Sequence, residues 1–234
     1  MIPISDDNPA RLTPIVNWAI MALCVAAYLW EVSLGRSMDC ALFALGFTPL
    51  SLFGHEPHGQ CTGLYSPTTT IFTSMFLHGG LLHIAGNMLY LWIFGNNVED
   101  AMGHVRFLVF YLVCGVAAAL TLGYIQPHSA VPMVGASGAI SGVLAAYVLL
   151  YPWAKVSVVI PLGIIFYPLK ISAFWVVGFW FLLQLASAAL TPANQPGTAF
   201  WAHVGGFAAG LALTPILKSR DFPLFGQVRR GPWG

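Results

Sequence analysis

Gly135-Ala136-Ser137-Gly138 is the stretch of sequence around which the rest of the chain is organised. It begins an apolar segment that runs to about Tyr151 and stops at Pro152. A serine between glycines at the start of a membrane helix is most often a small packing residue. The same serine becomes a nucleophile when a base and oxyanion-stabilising donors lie beside it. The polar groups in the other apolar segments decide between these roles.

The composition indicates a membrane protein. The chain has 234 residues, of which 58% are hydrophobic and only 7% are charged, whereas a soluble domain carries about 25% charged residues. A membrane-spanning helix needs roughly 20 apolar residues, which leaves room for about six spans and little else. We therefore predict an all-α polytopic membrane protein with a bundle of six transmembrane helices. The net charge of +1 provides no basic face, so no nucleic-acid partner is expected.

The apolar segments divide the chain into a membrane core at 14–217, with tails at 1–13 and 218–234 and a long outer loop at 31–74. The stretch Val156–Tyr167 is broken by Pro161 and is too short to cross, so we expect it to be interfacial or re-entrant. The six predicted spans run at about Pro14–Trp30, Leu81–Phe94, Phe107–Tyr124, Ser137–Tyr151, Ile171–Leu190 and Phe200–Leu217.

The basic residues orient these spans. Only Arg36 lies on one side. The opposite side holds Arg11, Arg106, Lys155, Lys170, Lys218, Arg220, Arg229 and Arg230. Because basic residues accumulate in cytoplasmic loops, both tails are expected to be cytoplasmic, and the absence of eukaryotic sorting signals favours a bacterial inner membrane. Cys40 and Cys61 share the outer loop and could form a disulfide in an oxidising compartment.

Acidic residues are absent from the predicted spans, which excludes several classes of membrane enzyme. An aspartyl intramembrane protease needs two carboxylates within its spans. A zinc protease of the His-Glu-x-x-His type needs a glutamate as its base. Neither site can be built from these spans.

The second, fourth and sixth spans each begin with a polar group. His83 and Asn87 share one face of the second span because they are four residues apart. Ser137 begins the fourth span, and His203 lies at the start of the sixth. Alternate spans run in the same direction, so all four residues are expected at one depth near the outer surface. There His203 could act as the base for Ser137, and His83, Asn87 and the Ser137 N–H could stabilise an oxyanion.

Each of these residues also has a simpler explanation. Small residues let helices pack closely, and a histidine or asparagine in a span often forms structural hydrogen bonds; we interpret His78 in that way. A small transporter, with His83, Asn87 and His203 lining its pathway, is an alternative. Transporters often show internal repeats and polar sites near the membrane midplane. The sequence has no such repeat, and these groups lie near one face, which favours catalysis.

The chain resembles the rhomboid family of intramembrane serine proteases over about Pro14–Leu217. The motifs that carry the resemblance are Gly-x-Ser-Gly at Gly135–Gly138, Ala-His-x-x-Gly-x-x-x-Gly at Ala202–Gly210, His-x-x-x-Asn at His83–Asn87 and Glu-x-x-x-Gly at Glu99–Gly103. The resemblance implies an endopeptidase that cleaves transmembrane protein substrates in the lipid bilayer, and this reaction implies no metal and no organic cofactor. In this family Ser137 would be the nucleophile, His203 the base, and His83, Asn87 and the Ser137 N–H the oxyanion hole. A pseudoprotease of the same fold, which binds membrane proteins without cleaving them, is the alternative.

The resemblance also implies the surroundings of the site. Ser137 would lie at the bottom of a water-filled cavity, which the loop Thr191–Thr198 would cap, and the fifth span would gate lateral access of the substrate. Two features of some members are absent: a Trp-Arg pair in the first loop, and a tyrosine four residues after the serine, where this chain has Ser141. The sequence therefore leaves open what orients His203, and whether Ser141 is a hydrogen-bond partner or a small packing residue.

Overall fold

A computed structural model describes residues 2–55, 61, 65–162, 165–191 and 199–226 of the chain. Most of them lie in helices, and a small antiparallel sheet is formed by β1 (Ile2–Asp6), β2 (Lys155–Leu162) and β3 (Ile165–Ser172). The helices in chain order are α1 (Ile15–Ser33), α2 (Met38–Leu45), α3 (Pro67–Thr73), α4 (Leu81–Tyr90), α5 (Asn96–Met102), α6 (His104–Ile125), α7 (Ser137–Leu150), α8 (Ala173–Leu190) and α9 (Phe200–Leu217).

The helices agree with the prediction of a six-span polytopic bundle. Four of them, α1, α6, α8 and α9, are each long and apolar enough to cross a membrane. The helix α7 is apolar but has only 14 residues. The remaining span is α4, which a π-helical turn at Leu91–Gly95 connects directly to α5.

Small residues allow α6, α7 and α9 to pack so closely that their backbones approach each other. A Cβ added to Gly206 of α9 would overlap the carbonyl oxygen of Gly138 in α7. A Cβ added to Gly138 would lie 2.6 Å from the Cβ of Ala118 in α6. Lipid already solvates apolar side chains, so the association of helices in a membrane depends on dispersion contacts between them. Close approach of this kind provides those contacts. The interface between α7 and α9 therefore has little freedom to shift.

The described part of the stretch Val156–Tyr167, which was expected to be interfacial or re-entrant, lies in strands β2 and β3 of the small sheet. These two strands pair antiparallel, and β1 pairs with the other edge of β2. Val156 and Val158 alternate with Ser157 along β2 and are fully buried, as a strand with one face on the core requires. The chain's start, expected to be a tail, is thus paired to the sheet. Pairing satisfies backbone groups that an irregular segment would leave open.

The loop between α1 and α4 is tied to the segment that precedes α7. The backbone groups of Phe47 and Met133 exchange two hydrogen bonds, and the N–H of Gly135 donates to the carbonyl oxygen of Ser74 at 2.8 Å. A disulfide joins Cys40 in α2 to Cys61, with an S–S distance of 2.03 Å. These contacts place the loop beside the chain that leads into Ser137.

The Glu-x-x-x-Gly motif holds the beginning of α1. The carboxylate of Glu99 accepts hydrogen bonds from the backbone N–H groups of Val16, at 3.0 Å, and Asn17, at 2.7 Å. Such N–H groups have no partner within their own helix. Gly103 adopts a φ of +76°, which favours glycine, and His104 Nδ1 lies 2.5 Å from a Glu99 oxygen. The motif therefore joins α5 to α1 and has a structural role here.

The end of α1 and the segment after α9 differ from the sequence prediction. The helix α1 continues to Ser33 and includes Glu31, so the prediction that the spans hold no acidic residue is wrong. Glu31 is fully buried and accepts a hydrogen bond from the N–H of His78. After α9, the N–H of Ser219 donates to Ala101 and Phe222 is buried, so this part of the tail packs on the bundle. Arg229 and Arg230 lie outside the described residues.

Candidate active site

Three helices bring the predicted polar residues to one cavity of about 710 Å³. The helix α4 contributes His83 and Asn87, α7 begins with Ser137, and α9 contributes His203. All four side chains line the cavity. They meet because α4, α7 and α9 start at the same end of the bundle, so residues from the first turns of three helices become neighbours.

Ser137 and His203 are in hydrogen-bond contact. The Oγ of Ser137 lies 2.8 Å from the Nε2 of His203. His203 is buried, and Ser137 is half-buried where the cavity reaches the start of α7. The backbone contact between Gly138 and Gly206 lies beside this pair and sets the distance between its two helices. A serine within reach of an imidazole is the minimal arrangement for an activated hydroxyl nucleophile.

The second nitrogen of His203 contacts Gln184, which the sequence analysis did not identify. The Oε1 of Gln184 in α8 lies 2.7 Å from the Nδ1 of His203. The ring of Trp180, one turn earlier in α8, lies beside the imidazole with a centroid separation of 5.9 Å. A signal was present in the sequence, because Gln184 is the one amide side chain in an otherwise apolar span. These two residues of α8 surround the imidazole on the side away from Ser137.

Ser141 does not contact His203. Its hydroxyl donates to the backbone carbonyl oxygen of Ser137 at 2.7 Å, within the first turn of α7. Serine commonly forms this bond to the carbonyl four residues earlier in a helix. Of the two roles left open for Ser141, the structure agrees with a small packing residue, because Ser141 is fully buried and its hydroxyl bonds to its own helix. The orienting contacts of His203 come from α8 instead.

His83 and Asn87 lie against the peptide that precedes Ser137. A Cβ added to Gly135 would be 2.6 Å from the Nε2 of His83 and 3.5 Å from the Nδ2 of Asn87. Gly135 has a φ of +117°, so both the space and the backbone conformation favour glycine. The buried Nδ2 of Asn87 has no hydrogen-bond partner among the described residues. A buried donor without a partner is available to an oxygen that develops negative charge beside Ser137.

His78 has a structural position behind His83. Its side chain is fully buried, and its Nδ1 lies 3.1 Å from the carbonyl oxygen of Phe76. The rings of His78 and His83 meet edge to face, with centroids 5.3 Å apart. Together with the bond from the His78 N–H to Glu31, these contacts fix the turn that leads into α4.

The cavity lacks the groups that would indicate a metal site. In the part of the chain that the structure describes, no three His, Cys, Asp or Glu side chains are grouped to hold a metal ion. The other lining residues are largely apolar and include Leu122, Ile140, Leu144 and Trp180. The loop expected to cap the cavity, Thr191–Thr198, lies outside the described residues except for Thr191. The arrangement offers a hydroxyl nucleophile, a neutral base and uncharged donors.

Comparison with known proteins places this site within one family. Residues 66–220 match the family model described as Rhomboid domain, which covers more than half of the chain. That range contains His83, Asn87, Ser137 and His203.

Individual relatives include both active and inactive proteins by name. The chain is 26% identical over 204 residues to the Rhomboid protease GlpG of Salmonella paratyphi A, covering 85% of this chain and 61% of that relative's length. It is 38% identical over 94 residues to the Rhomboid-like protein 11, chloroplastic, of Arabidopsis thaliana, covering 39% of this chain and 33% of the relative. It is 35% identical over 83 residues to the Inactive rhomboid protein 1 of Drosophila melanogaster, covering 36% of this chain and 6% of the relative.

Proposed function

The chain belongs to the rhomboid family, and we propose that it is an intramembrane serine endopeptidase that hydrolyses peptide bonds in or near transmembrane segments of membrane proteins. It is a multi-pass membrane protein with several apolar helices. The observation that carries the proposal is the 2.8 Å contact between Ser137 Oγ and His203 Nε2 inside a cavity that also holds His83 and Asn87. A Ser137–His203 dyad in that cavity can catalyse acyl transfer.

Acylation begins with the dyad. His203 Nε2 accepts the proton of Ser137 as its Oγ attacks the scissile carbonyl carbon. The carbonyl oxygen becomes an oxyanion, and the donors beside it are the Ser137 N–H, Asn87 Nδ2 and the His83 ring. The Ser137 N–H is suited to this role because it begins α7, where it lacks an intrahelical partner and the helix dipole favours negative charge. His203 then returns its proton to the leaving amine, and an ester links Ser137 to the substrate.

Deacylation repeats these steps with water. His203 removes a proton from a water molecule, which attacks the ester carbonyl. An oxyanion forms again and is stabilised by the same donors. Collapse of this intermediate returns the proton to Ser137 and releases the carboxylate product. His203 carries each proton as a transient imidazolium, and the negative charge of the oxyanion develops next to Asn87 and the start of α7, so the proton transfers balance with the substrate, this chain and water.

Lateral access past α8 is the route we propose for the substrate. The buried residues of α8 cluster near its start, at Ala173, Val176 and Val177, with Ala188 near its end. Leu182 and Phe179 are exposed, which in a bilayer means contact with lipid. A helix with so few buried side chains can separate from its neighbours at a lower cost than α7 can. A transmembrane substrate could therefore reach the cavity from the bilayer.

We propose that both ends of the chain are cytoplasmic, in a bacterial inner membrane. The strand β1 pairs with β2, and β2 pairs with β3, so the chain's start, Lys155 and Lys170 lie at the same end of the bundle, which supports this orientation. That side carries most of the basic residues, as cytoplasmic loops do. The disulfide between Cys40 and Cys61 lies in the opposite loop, which fits an oxidising compartment. Labelling of single introduced cysteines in intact cells would test this orientation.

Labelling with a fluorophosphonate tests the proposed reaction. The purified protein in lipid vesicles should be labelled and should cleave a reporter membrane protein. Ser137→Ala should abolish both properties, and His203→Ala should reduce labelling to background because the hydroxyl loses its base. Ser141→Ala is the matched control, since it removes a serine from the same helix turn without touching His203. Labelling that survives Ser137→Ala would contradict the assignment.

Binding without cleavage is the second candidate function. The similarity over 83 residues to a protein named inactive rhomboid supports it. A wild-type protein that co-purifies with membrane proteins in vesicles but shows no labelling and no cleavage would favour this function. The intact Ser137–His203 contact favours the enzyme.

A further inference from the structure

We propose that Gln184 is a positioning residue for His203, so that the site operates as a hydrogen-bonded Ser137–His203–Gln184 triad in which Gln184 receives no proton. This inference rests on the proposed protease function and concerns the side chain that prepares the base. It is carried by the two ring contacts of His203: Nε2 faces Ser137 Oγ at 2.8 Å, and Nδ1 faces Gln184 Oε1 at 2.7 Å.

The Gln184 contact determines which nitrogen of His203 carries the proton. An amide oxygen can only accept a hydrogen bond, so Nδ1 must be the protonated nitrogen in the neutral ring. The lone pair is then on Nε2, where it can accept the proton of Ser137. The other tautomer would direct an N–H at Ser137 and could not act as a base. The acceptor for Nδ1 thereby has the same physical role as the carboxylate of a Ser-His-Asp triad.

A neutral acceptor suits a buried position in a membrane better than a carboxylate. Burying an unpaired carboxylate in apolar surroundings costs far more than burying an amide that has its hydrogen bond. The described residues that line the cavity include no acidic side chain, and α4 contributes two titratable groups, His83 and Tyr90, to the same lining as His203. The amide dipole can still stabilise the transient imidazolium, because its oxygen end points at Nδ1.

The location of Gln184 makes base orientation dependent on α8. Ser137 and His203 belong to the tightly packed helices α7 and α9, but Gln184 belongs to α8. One turn away the rings of Phe181 and Phe207 stack with centroids 4.1 Å apart, which holds the same stretch of α8 against α9. When α8 separates from α9, His203 loses its acceptor. Catalysis therefore requires α8 to be in contact with α9, while substrate access requires it to move.

Two substitutions at Gln184 test the proposal, with Leu182→Ala as the control on the lipid-facing side of the same helix. Gln184→Leu keeps the volume and removes the acceptor. We expect kcat/KM for the reporter to fall by about tenfold to a hundredfold, mainly through kcat, with fluorophosphonate labelling slowed in parallel. Leu182→Ala should leave both rates unchanged.

Gln184→Glu supplies a readout that a merely structural residue would not alter. It keeps an acceptor of the same length, so activity at alkaline pH should recover to near that of the wild type. Its negative charge favours the protonated imidazole, so the acidic limb of the pH profile of kcat/KM should move to higher pH. This variant also decides the question if Gln184→Leu fails to fold.

Two results would overturn the proposal. One is wild-type kcat/KM and pH profile in Gln184→Leu. The other is an equal loss in both Gln184 variants with an unmoved acidic limb, which would assign Gln184 to packing alone. Neither result affects the protease assignment, which fails if the wild-type protein is neither labelled nor active or if labelling survives Ser137→Ala.

Discussion

The α7–α9 interface and helix α8 are built in opposite ways, although both contact His203. Glycines at Gly138 and Gly206 bring the first pair of helices to backbone distance. In α8, by contrast, most side chains are aliphatic or aromatic and many face outward, and a Cβ added to Gly178 would meet nothing within 4 Å. The α7–α9 interface is fixed by steric exclusion, whereas α8 is held by a hydrogen bond and a few ring contacts.

This difference assigns distinct tasks to the two regions. The atoms that must stay within hydrogen-bond distance, Ser137 Oγ and His203 Nε2, are on the rigid pair of helices. The contact that prepares the base, from Gln184, is on a helix with few buried side chains. Packed interfaces change between discrete arrangements and do not deform continuously, whereas a loosely packed helix can separate from the bundle. Substitutions in the two regions should therefore have very different effects.

Gly206→Ala should have the largest effect. The new methyl group would overlap the carbonyl oxygen of Gly138, which is backbone and cannot rotate away. We expect a loss of at least about 3 kcal/mol in the free energy of unfolding, together with loss of fluorophosphonate labelling, because the two helices must separate. Titration with a denaturing detergent in mixed micelles measures the first quantity. Wild-type stability and labelling in this variant would show that the interface is not rigid.

Asn87→Ala should have the next largest effect, but on rate alone. It removes one donor beside the peptide of Gly135 and leaves the α7–α9 interface intact. Loss of one oxyanion donor typically costs about 10²–10³ in kcat. The Nδ2 of Asn87 has no protein partner among the described residues, so the substitution breaks no hydrogen bond of that atom in the resting protein. A fall in kcat with unchanged detergent resistance is expected. A loss of stability equal to that of Gly206→Ala would instead make Asn87 a structural residue.

The location of the rigid half of the site could be predicted from the sequence. Polar residues are rare in apolar spans, and alternate spans run in the same direction, so Ser137 and His203 stand out without knowledge of contacts. The contact of Gln184 could not be predicted in this way. Its significance depends on how α8 packs against α9, and a lone amide in a span has several explanations until that packing is known.

The sheet is a part of the fold that could not be predicted from the sequence, for a similar reason. The residues of β2 alternate as a strand should, but a short apolar stretch with a proline also fits an interfacial segment. The deciding partner is β1, which pairs with β2 from the other end of the chain. The end of α1 is another case: the sequence predicts Glu31 as the first loop residue, whereas in the structure it lies in α1 and its buried carboxylate accepts a hydrogen bond from the N–H of His78. Long-range pairing decided each of these features.

Asp6→Asn should change how the free energy of unfolding depends on pH. The substitution acts where β1 contacts α7, at the end of that helix far from Ser137. Asp6 in β1 accepts a hydrogen bond from the hydroxyl of Tyr147. The pKa of its carboxyl is raised from 3.8 to about 6, mainly by burial and also by the charge of Asp7, while the Tyr147 bond acts in the opposite direction. Because the folded pKa exceeds the unfolded one, the folded state binds more protons between these values. Wild-type stability should therefore fall as pH rises from 4 to 6 and stay constant above.

The variant lacks this titration but keeps an oxygen acceptor for Tyr147. Its stability should vary less over the same pH range and exceed that of the wild type at pH 7 by up to about 3 kcal/mol. Asp39→Asn, in the exposed part of α2, controls for the loss of one negative charge. Detergent unfolding at pH 4.5 and pH 7 measures the difference. A variant that is less stable than wild type at pH 7 would mean that the charged carboxylate itself stabilises the sheet against α7.

Gly178→Ala should have the smallest effect and is the matched partner of Gly206→Ala. Both substitutions add one methyl group to a glycine in a membrane helix, but the space around Gly178 is open. Alanine restricts the unfolded chain and favours a helix by about 0.5–1 kcal/mol over glycine, so the free energy of unfolding should stay the same or rise slightly. If α8 moves as a rigid helix, cleavage of the reporter should stay within twofold of wild type. Unchanged stability with slower cleavage but normal fluorophosphonate labelling would show instead that α8 bends at Gly178 to admit the substrate, because a small probe does not need that motion.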